Sequence, residues 1–356
     1  MKLYKIDINK FRSFAKLKIE DFKDINLIVG KNNCGKTSVL EAIFLSIGFS
    51  NPNLALSIDQ FRGLLHDGNE DFRYIFHNLD YNENIIIETE FINNSQHRKL
   101  IIKPTFIKTK SVEIKPNDIS TNSNINSSTK KIDGIEFDFS IKPLKRSKDN
   151  FKKSLLQFTT KGIKVTQPED YNESIFGIFL RPTTTSSDVY ERLDKILVKK
   201  GEQKFIKALH HIDNRISDIS LGAKNMIYFD IGIERLVPIQ IMGDGIIKLL
   251  SILATIANAE NRVVLIDEIE NGFHFSVLNQ VWESIYDAAK QYNVQIFVTT
   301  HSLECAKSFN NVQTNKLLKE DVLRLYRIEK IKDEFEIFKY DSEILESSLE
   351  SNWEIR

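Results

Sequence analysis

The sequence predicts an α/β fold with a mixed, largely parallel core sheet, an N-terminal antiparallel β layer and an inserted lobe of strands and helices. Near the N-terminus, a short apolar strand runs into a glycine-containing loop and then into an apolar helix. After residue 240, segments with helix and strand patterns alternate over residues 246–259, 263–267, 277–291 and 294–300. Such alternation is typical of a parallel sheet, because parallel strands need long crossover connections.

The N-terminal segments follow from their apolar periodicity. Residues 3–19 alternate apolar and polar side chains, which predicts two strands. Residues 26–29 form a short apolar strand, and residues 39–47 form a mostly apolar helix that we expect to be buried and to end at Gly48. Residues 84–107 show the strand pattern again and are assigned to the antiparallel layer.

The middle of the chain changes character twice. Residues 108–133 are polar, rich in Asn and Ser, and aperiodic, so we expect a flexible loop that buries too little apolar surface to stay ordered. Strands are predicted again around residues 135–141 and 155–165, followed by a helical region over residues 189–212. The chain is therefore divided into a discontinuous core of residues 1–107 and 225–356, a loop of residues 108–133, and an inserted lobe of residues 134–224.

Composition restricts the function classes. The 356 residues carry 49 Lys and Arg against 49 Asp and Glu, so the net charge is zero, which excludes a globally polybasic nucleic-acid or membrane binder. The two cysteines, Cys34 and Cys305, are too few for a disulfide framework. Neither a signal-peptide core nor an apolar run of membrane-spanning length is present. We expect a soluble, cytoplasmic protein that does not act in a membrane.

The loop after the first apolar strand matches the phosphate-binding pattern G-x-x-x-x-G-K-[ST] without a mismatch. Its backbone N–H groups and the start of the following helix suit an anion. Lys36 supplies a positive charge for the β- and γ-phosphates, and the Thr37 hydroxyl is a ligand for Mg²⁺. The residues predicted to bind the nucleotide here are Gly30, Lys31, Asn32, Asn33, Cys34, Gly35, Lys36, Thr37 and Ser38.

Two acidic residues end the apolar strand at residues 263–266. The carboxyl edge of a parallel sheet is where ligands bind, so both side chains are expected beside the phosphate loop. Asp267 is predicted to hold Mg²⁺ together with Thr37, and Glu268 to orient and deprotonate the attacking water. Many strands end in acidic residues, so this pair indicates a nucleotide site only in combination with the phosphate loop upstream.

Two further segments point to the same edge. The strand at residues 294–300 ends in His301, whose imidazole is placed to hydrogen-bond a γ-phosphate, and we count it with Lys36 and Glu268 as catalytic. Gly243, Asp244 and Gly245 form a tight turn that opens the next helix, and its N-terminus is an anion site. Read alone, this turn is equally consistent with a simple helix cap.

The order of these motifs resembles the ABC-type ATPases, a group of P-loop NTPases. The N-terminal Ile8-Asn-Lys-Phe-Arg12-Ser-Phe and the phosphate loop resemble the RecF/SMC/OLD branch, and Met242-Gly-Asp-Gly-Ile-Ile-Lys with Ile266-Asp-Glu-Ile-Glu-Asn-Gly-Phe-His resembles stand-alone OLD-like AAA ATPases. The resemblance covers residues 1–50 and 225–356 well and includes no Toprim nuclease domain. It departs from the ABC signature at Gly243, where that signature has a serine.

This resemblance implies a homodimer that closes around ATP and Mg²⁺. Gly243, Asp244 and Gly245 of one chain would then face the γ-phosphate held by the partner, and Arg12 would approach the nucleotide. The output would act on DNA or on a separately encoded effector such as a nuclease, in genome maintenance or phage defence.

Other functions are less well supported by the residues. The alternative is the nucleotide-binding subunit of a membrane transporter, which lacks support because no Ser-Gly-Gly signature is present. A GTPase would need an Asn-Lys-x-Asp motif, which the sequence lacks, and Glu268 argues against a module that binds without hydrolysing. A basic cluster fits either DNA phosphates or a solvated face, and comprises Lys142, Lys145, Arg146, Lys148, Lys152 and Lys153.

Overall fold

The computed structural model describes residues 2–64, 72–92, 96–106, 132–143, 148–159, 161–181, 186–198, 202–210, 212–316 and 321–351. Its strands are β1 (Leu3–Phe11), β2 (Phe14–Glu20), β3 (Ile25–Val29), β4 (Ile85–Phe91), β5 (Gln96–Phe106), β6 (Ile132–Pro143), β7 (Lys152–Thr159), β8 (Gly162–Thr166), β9 (Gly177–Leu180), β10 (Asp218–Leu221), β11 (Ile227–Asp230), β12 (Val237–Pro238), β13 (Val263–Ile266), β14 (Gln295–Thr299), β15 (Leu323–Ile331) and β16 (Glu334–Tyr340). Its α-helices are α1 (Lys36–Ile47), α2 (Asn53–Phe61), α3 (Ser186–Leu197), α4 (Glu202–Leu209), α5 (Asp244–Asn258), α6 (Leu278–Tyr292), α7 (Leu303–Asn315) and α8 (Ser342–Glu350).

The core sheet has the strand order β16-β15-β3-β14-β13-β9. Every pairing in it is parallel except that of β16 with β15. All residues of β3, β13 and β14 are buried, because helices or strands cover both faces of the sheet. This explains why these three strands are mostly apolar in the sequence, without the alternation of a half-exposed strand.

A second, antiparallel sheet has the order β2-β1-β4-β5-β6-β7-β8. Buried and less buried side chains alternate along strands such as β4, where Ile85, Ile87 and Phe91 face inward. One face therefore packs on the core and the other faces solvent. A small third sheet, β10-β11-β12, precedes α5.

Helix α1 lies between the two large sheets. Its apolar residues pack with the inward face of the antiparallel sheet and with one face of the core sheet, including Leu265 and Phe297. A helix enclosed from several sides shows little amphipathic pattern, which is why α1 reads as apolar almost throughout. The opposite face of the core sheet is covered by α3, α4, α5, α6 and α7.

The predicted mixed α/β fold is confirmed. The strands predicted over residues 3–19 are β1 and β2, and the alternation after residue 240 corresponds to α5, β13, α6 and β14. The helix predicted over residues 39–47 is α1, which begins earlier, at Lys36, and Gly48 N–H caps it by donating to Phe44 O at 3.2 Å.

The flexible loop predicted over residues 108–133 lies almost entirely outside the described residues. Its last two positions are a correction, because Ile132 and Asp133 already belong to β6. Ile132 pairs with Phe106, and Asp133 accepts a hydrogen bond of 2.7 Å from the Thr105 hydroxyl. Pairing with β5 therefore extends the strand beyond its apolar stretch.

The division into a core and an inserted lobe stays a prediction, and the topology shows how residues 134–224 are connected. Strands β6, β7 and β8 extend the antiparallel sheet, whereas β9 forms the edge of the core sheet beside β13. Within the described residues, no helix combines the length and the apolar character that crossing a bilayer requires.

One buried side chain fastens β14 to the N-terminus. Gln295, at the start of β14, is 1% exposed. Its Oε1 accepts from Leu3 N–H at 2.7 Å, and its Nε2 donates to Leu3 O at 2.8 Å and to Lys23 O at 2.9 Å. These bonds join β1 of the antiparallel sheet to β14 of the core sheet.

Replacing Gln295 by leucine is expected to lower the free energy of unfolding by about 2–4 kcal/mol, because buried backbone groups of Leu3 and Lys23 lose their partners. Urea unfolding should show a lower midpoint with an unchanged slope. Gln291→Leu, at an exposed position on α6, is the matched control. A midpoint for Gln295→Leu equal to that of the control would contradict this account.

Candidate nucleotide-binding and hydrolytic site

The phosphate loop connects β3 to α1 at the carboxyl edge of the core sheet. Gly35 has φ = 88°, and a Cβ at this position would lie 2.4 Å from the Phe14 ring, so only glycine fits without strain. The N–H of Val39 donates to Gly35 O at 3.0 Å, which starts α1 directly at the loop. The free N–H groups of this first turn are therefore available to an anion.

Lys36 folds back over the loop. Its Nζ donates to Gly30 O at 2.7 Å and to Lys31 O at 2.9 Å. An ammonium group has three N–H donors, so one direction is left for a phosphate oxygen. Cys34 is buried beneath the loop, where a Cβ on Gly30 would come within 2.6 Å of its Sγ, and burial raises the pKa of its thiol.

A cavity of about 780 Å³ opens beside this loop, within the size range of small-molecule sites. The predicted site residues that line it are Arg12, Asn32, Asn33, Gly35, Lys36, Thr37, Ser38, Asp267, Glu268 and His301. Residues from four separate stretches of sequence therefore meet at one place. Gly243, Asp244 and Gly245 are not among its lining residues.

Thr37 and Asp267 are direct neighbours. The Thr37 hydroxyl lies 3.1 Å from Asp267 Oδ1 and 3.2 Å from Oδ2, and Thr299 Oγ1 donates to Oδ1 at 2.6 Å. Burial raises the pKa of Asp267, while the bonds from Thr299 and Thr37 oppose that rise. Hydroxyl and carboxylate oxygens are the donors that Mg²⁺ prefers, so this pair fits the metal.

Glu268 takes an unusual backbone conformation. Its φ is 48°, in the left-handed region that costs a residue with a side chain about 1–2 kcal/mol. Consecutive side chains of an extended strand point to opposite faces, whereas here both Asp267 and Glu268 line the cavity. The side chain is held by Asn271, whose Nδ2 donates to Oε2 at 2.7 Å. Strain of this kind is concentrated at functional sites.

His301 is fixed by an acid that the sequence reasoning did not identify. Glu270 Oε1 accepts from the His301 backbone N–H at 2.8 Å and lies 2.9 Å from its Nδ1. The imidazole is half exposed and lines the cavity, whereas the Glu270 side chain is 11% exposed. Its spacing in the sequence could have identified Glu270 as a site residue, since it follows Asp267 by three residues at the same sheet edge.

A buried carboxylate in α1 organises two arginines that line the cavity. Glu41 is fully buried, and its carboxylate accepts from Arg12 Nε at 2.8 Å and from Arg62 Nε at 2.7 Å. Arg12 also donates to Asp59 Oδ1 at 2.9 Å, so it is anchored while it lines the cavity. Arg62 lines the cavity too, and Ser38 Oγ accepts from its Nη2 at 3.1 Å.

Glu41 and Arg62 were missed by the sequence reasoning. An acidic residue inside an otherwise apolar helix was the available signal for Glu41, because a buried charge is retained only with a partner. Arg62 carried no such signal, because it lies in a segment of mixed pattern after α2.

The glycine turn before α5 is largely exposed and does not line the cavity. Gly243 has φ = 88°, and a Cβ on it would meet nothing within 4 Å. Asp244 is exposed, Ile241 just before the turn is 73% exposed, and a Cβ on Gly245 would lie 3.7 Å from the Phe273 ring. The turn therefore presents a free helix N-terminus in a partly apolar surrounding.

Several lysines of the basic cluster are paired within the chain. Lys142 lies 3.1 Å from Asp149, Lys153 lies 2.9 Å from Glu136, and Lys152 contacts Asp170. Lys145 and Arg146 lie outside the described residues. These pairs favour a solvated face over a nucleic-acid contact at the lysines that are described.

The fold and site define a phosphate-loop nucleotide hydrolase. A family model described as "AAA domain, putative AbiEii toxin, Type IV TA system" matches residues 25–305, and the chain belongs to this family. An ATP/GTP phosphatase of Helicobacter pylori is 26% identical over 332 residues, which cover 87% of this chain and 88% of that protein.

Two further comparisons relate the chain to a wider group of proteins, one by sequence and one by fold. The DNA replication and repair protein RecF of Idiomarina loihiensis is 36% identical over 76 residues, about a fifth of each chain at 21% and 20%. A solved SMC head, crystallised with the C-winged helix domain of ScpA, shares the fold with a TM-score of 0.51 and 12% identity, covering 98% of this chain and 100% of that chain. The chain is an ABC-type P-loop ATPase of the RecF/SMC branch, as the motif order predicted.

Replacing Lys36 by alanine is expected to weaken ATP binding by about 10- to 150-fold, because a charge-assisted bond contributes roughly 1.5–3 kcal/mol. Titration with fluorescent ATP measures the dissociation constant. Lys307→Ala, exposed on α7, controls for the loss of a lysine and should bind as the unsubstituted protein does. Binding of Lys36→Ala within threefold of that control would remove Lys36 from the phosphate site.

Proposed function

We propose that this ATPase is a homodimeric switch in which two copies close around two ATP molecules with Mg²⁺. In each pocket, the phosphate loop of one copy holds the triphosphate and the glycine turn of the partner covers it. One observation carries this proposal: Gly243 and Asp244 are exposed, Gly245 is half-buried, and none of the three lines the cavity of their own chain. A helix N-terminus exposed beside apolar side chains is suited to contact a phosphate held by a second copy.

The residue roles follow from the geometry of the cavity. Lys36 and the N–H groups of α1 bind the β- and γ-phosphates, while Arg62, bonded to Ser38, adds positive charge. Thr37 and Asp267 would hold Mg²⁺, which neutralises charge on the phosphates when bound. The Asn271 bond holds the Glu268 carboxylate at the edge of the cavity, where it takes the proton of the attacking water. Glu270 holds the His301 ring through Nδ1, which leaves Nε2 for an oxygen of the γ-phosphate.

The biological setting is inferred by analogy with the relatives. The RecF relative is named for DNA replication and repair, and the family description names a toxin of a toxin–antitoxin system. Both fit an ATP-driven switch that acts on DNA or on a separate effector such as a nuclease. Membership of the OLD-like group and a role in phage defence stay predictions.

The role of Glu268 is tested by replacing one carboxylate oxygen with an amide nitrogen. Glu268→Gln is expected to keep ATP bound within threefold while lowering the turnover number by on the order of 10²–10⁴, because the base is lost and the shape is kept. Phosphate release and ATP titration are measured on the same preparation. Glu343→Gln, exposed on α8, is the matched control, and equal turnover of the two variants would exclude Glu268 as the base.

The shared pocket is tested by mixing two inactive variants. A Cβ on Gly245 would come within 3.2 Å of Gly272 O, so substitution there disturbs the monomer. Asp244 is exposed and accommodates a large side chain, so Asp244→Trp is expected to bind ATP normally but to block dimerisation and hydrolysis. Asp333→Trp, at an exposed turn, controls for an added indole.

Mixing Asp244→Trp with Lys36→Ala then gives one pocket with both changes and one pocket with neither. ATPase activity is expected to return to a fraction of that of the unsubstituted protein, and light scattering should show an ATP-dependent dimer. Normal turnover by monomeric Asp244→Trp would instead establish a single-chain ATPase.

A further inference from the structure

Lys248 is a buried lysine to which the site described above gives no role. It lies in the second turn of α5, after the glycine turn, and is 6% exposed. Within the described part of the chain, its Nζ is buried and has no hydrogen-bond partner. Lysine is rarely buried without a partner, because an ammonium group loses its hydration there. A side chain held at this cost indicates a function for the charge.

The lysine faces the acidic turn that follows β13. A Cβ on Gly272 would lie 3.9 Å from Lys248 Cβ, and a Cβ on Gly245 would lie 3.2 Å from Gly272 O, so α5 packs directly on this turn. Burial lowers the pKa of Lys248, and the carboxylates of Asp267 and Glu270 oppose that shift. The ammonium therefore experiences the field of the hydrolytic carboxylates.

Glu270 also has a buried atom without a partner. Its Oε1 is occupied by the backbone N–H and Nδ1 of His301, whereas its Oε2 is buried and has no hydrogen-bond partner within the described residues. Buried polar atoms are nearly always paired, so two unpaired atoms of opposite charge on adjoining segments are suited to each other. Binding of a free anion by Lys248 is disfavoured, because the ammonium lies in the field of three carboxylates, those of Asp267, Glu268 and Glu270.

We propose that Lys248 is a positioning residue for ATP hydrolysis: its ammonium is the counter-charge that holds Glu270, and through Glu270 the His301 imidazole, at the γ-phosphate end of the cavity. The same electrostatic attraction links the helix that carries the glycine turn to the acidic turn of its own chain. This inference rests on the hydrolytic roles proposed above for Glu268 and His301. Packing alone does not require the charge, since a methionine would fill the same space.

The decisive variant is Lys248→Met, which keeps the length of the side chain and removes its charge. Its melting temperature is expected to fall, because the buried Glu270 carboxylate loses its counter-charge, while the methionine keeps the packing of α5. ATP affinity should stay within threefold, and kcat should fall at least tenfold while KM stays within threefold. Lys307→Met is the matched control on an exposed surface of α7.

A double-mutant cycle with Glu270→Gln identifies the partner. If Lys248 acts through Glu270, adding Glu270→Gln to Lys248→Met lowers kcat by much less than Glu270→Gln does alone. Fully additive losses would overturn the proposal, and so would a kcat of Lys248→Met within twofold of the control or a parallel loss of ATP affinity. If Lys248→Met does not fold, Lys248→Gln replaces it and is held to the same outcomes.

The hydrolytic role of Glu268 and the positioning role of Lys248 are tested by different variants. Normal turnover by Glu268→Gln would remove the hydrolytic assignment on which Lys248 depends. An inactive Glu268→Gln protein together with a fully active Lys248→Met protein would overturn the role of Lys248 alone.

Discussion

Burial of α1 between two sheets is the constraint on which the site depends. The helix starts at the phosphate loop, and its apolar side chains pack against the antiparallel sheet on one side and the core sheet on the other. The loop therefore has a fixed position relative to the carboxyl ends of β13 and β14. Gln295 reinforces this arrangement by bonding β14 to β1. A phosphate site built this way is preorganised, because the backbone donors need no rearrangement to meet their ligand.

Buried charge is the second constraint, and it is concentrated around the cavity. Glu41 inside α1 pairs with Arg12 and Arg62, whereas Asp267 relies on the hydroxyl groups of Thr37 and Thr299. Such groups cost stability unless each is partnered, so their positions are determined by one another. The left-handed backbone at Glu268 adds a local cost at the same edge. Backbone strain and desolvation of charged groups are therefore concentrated at the cavity, where the chemistry requires several charges close together.

The sequence alone predicted the parts of the site that follow from local chemistry. The phosphate loop was predictable because glycine, lysine and threonine have fixed roles at that spacing, and the acids after β13 because an apolar strand must end at a sheet edge. The mixed fold followed from the alternation of helix and strand patterns after residue 240. These features depend on residues that are close together in the chain.

The tertiary structure decided what depends on residues far apart in the chain. Nothing near Arg62 in the sequence indicates that it would meet Glu41. The spacing of Glu270 from Asp267 places it at the same sheet edge but does not identify His301 as its partner. The boundary of β6 was likewise extended to Ile132 by pairing with β5, against the polar composition there. Lys248 was visible within the glycine-turn motif, but its burial against the acidic turn arises only when α5 packs on Gly272. Local patterns specify elements and motifs, whereas partners of buried charges are set by packing between segments that the sequence separates.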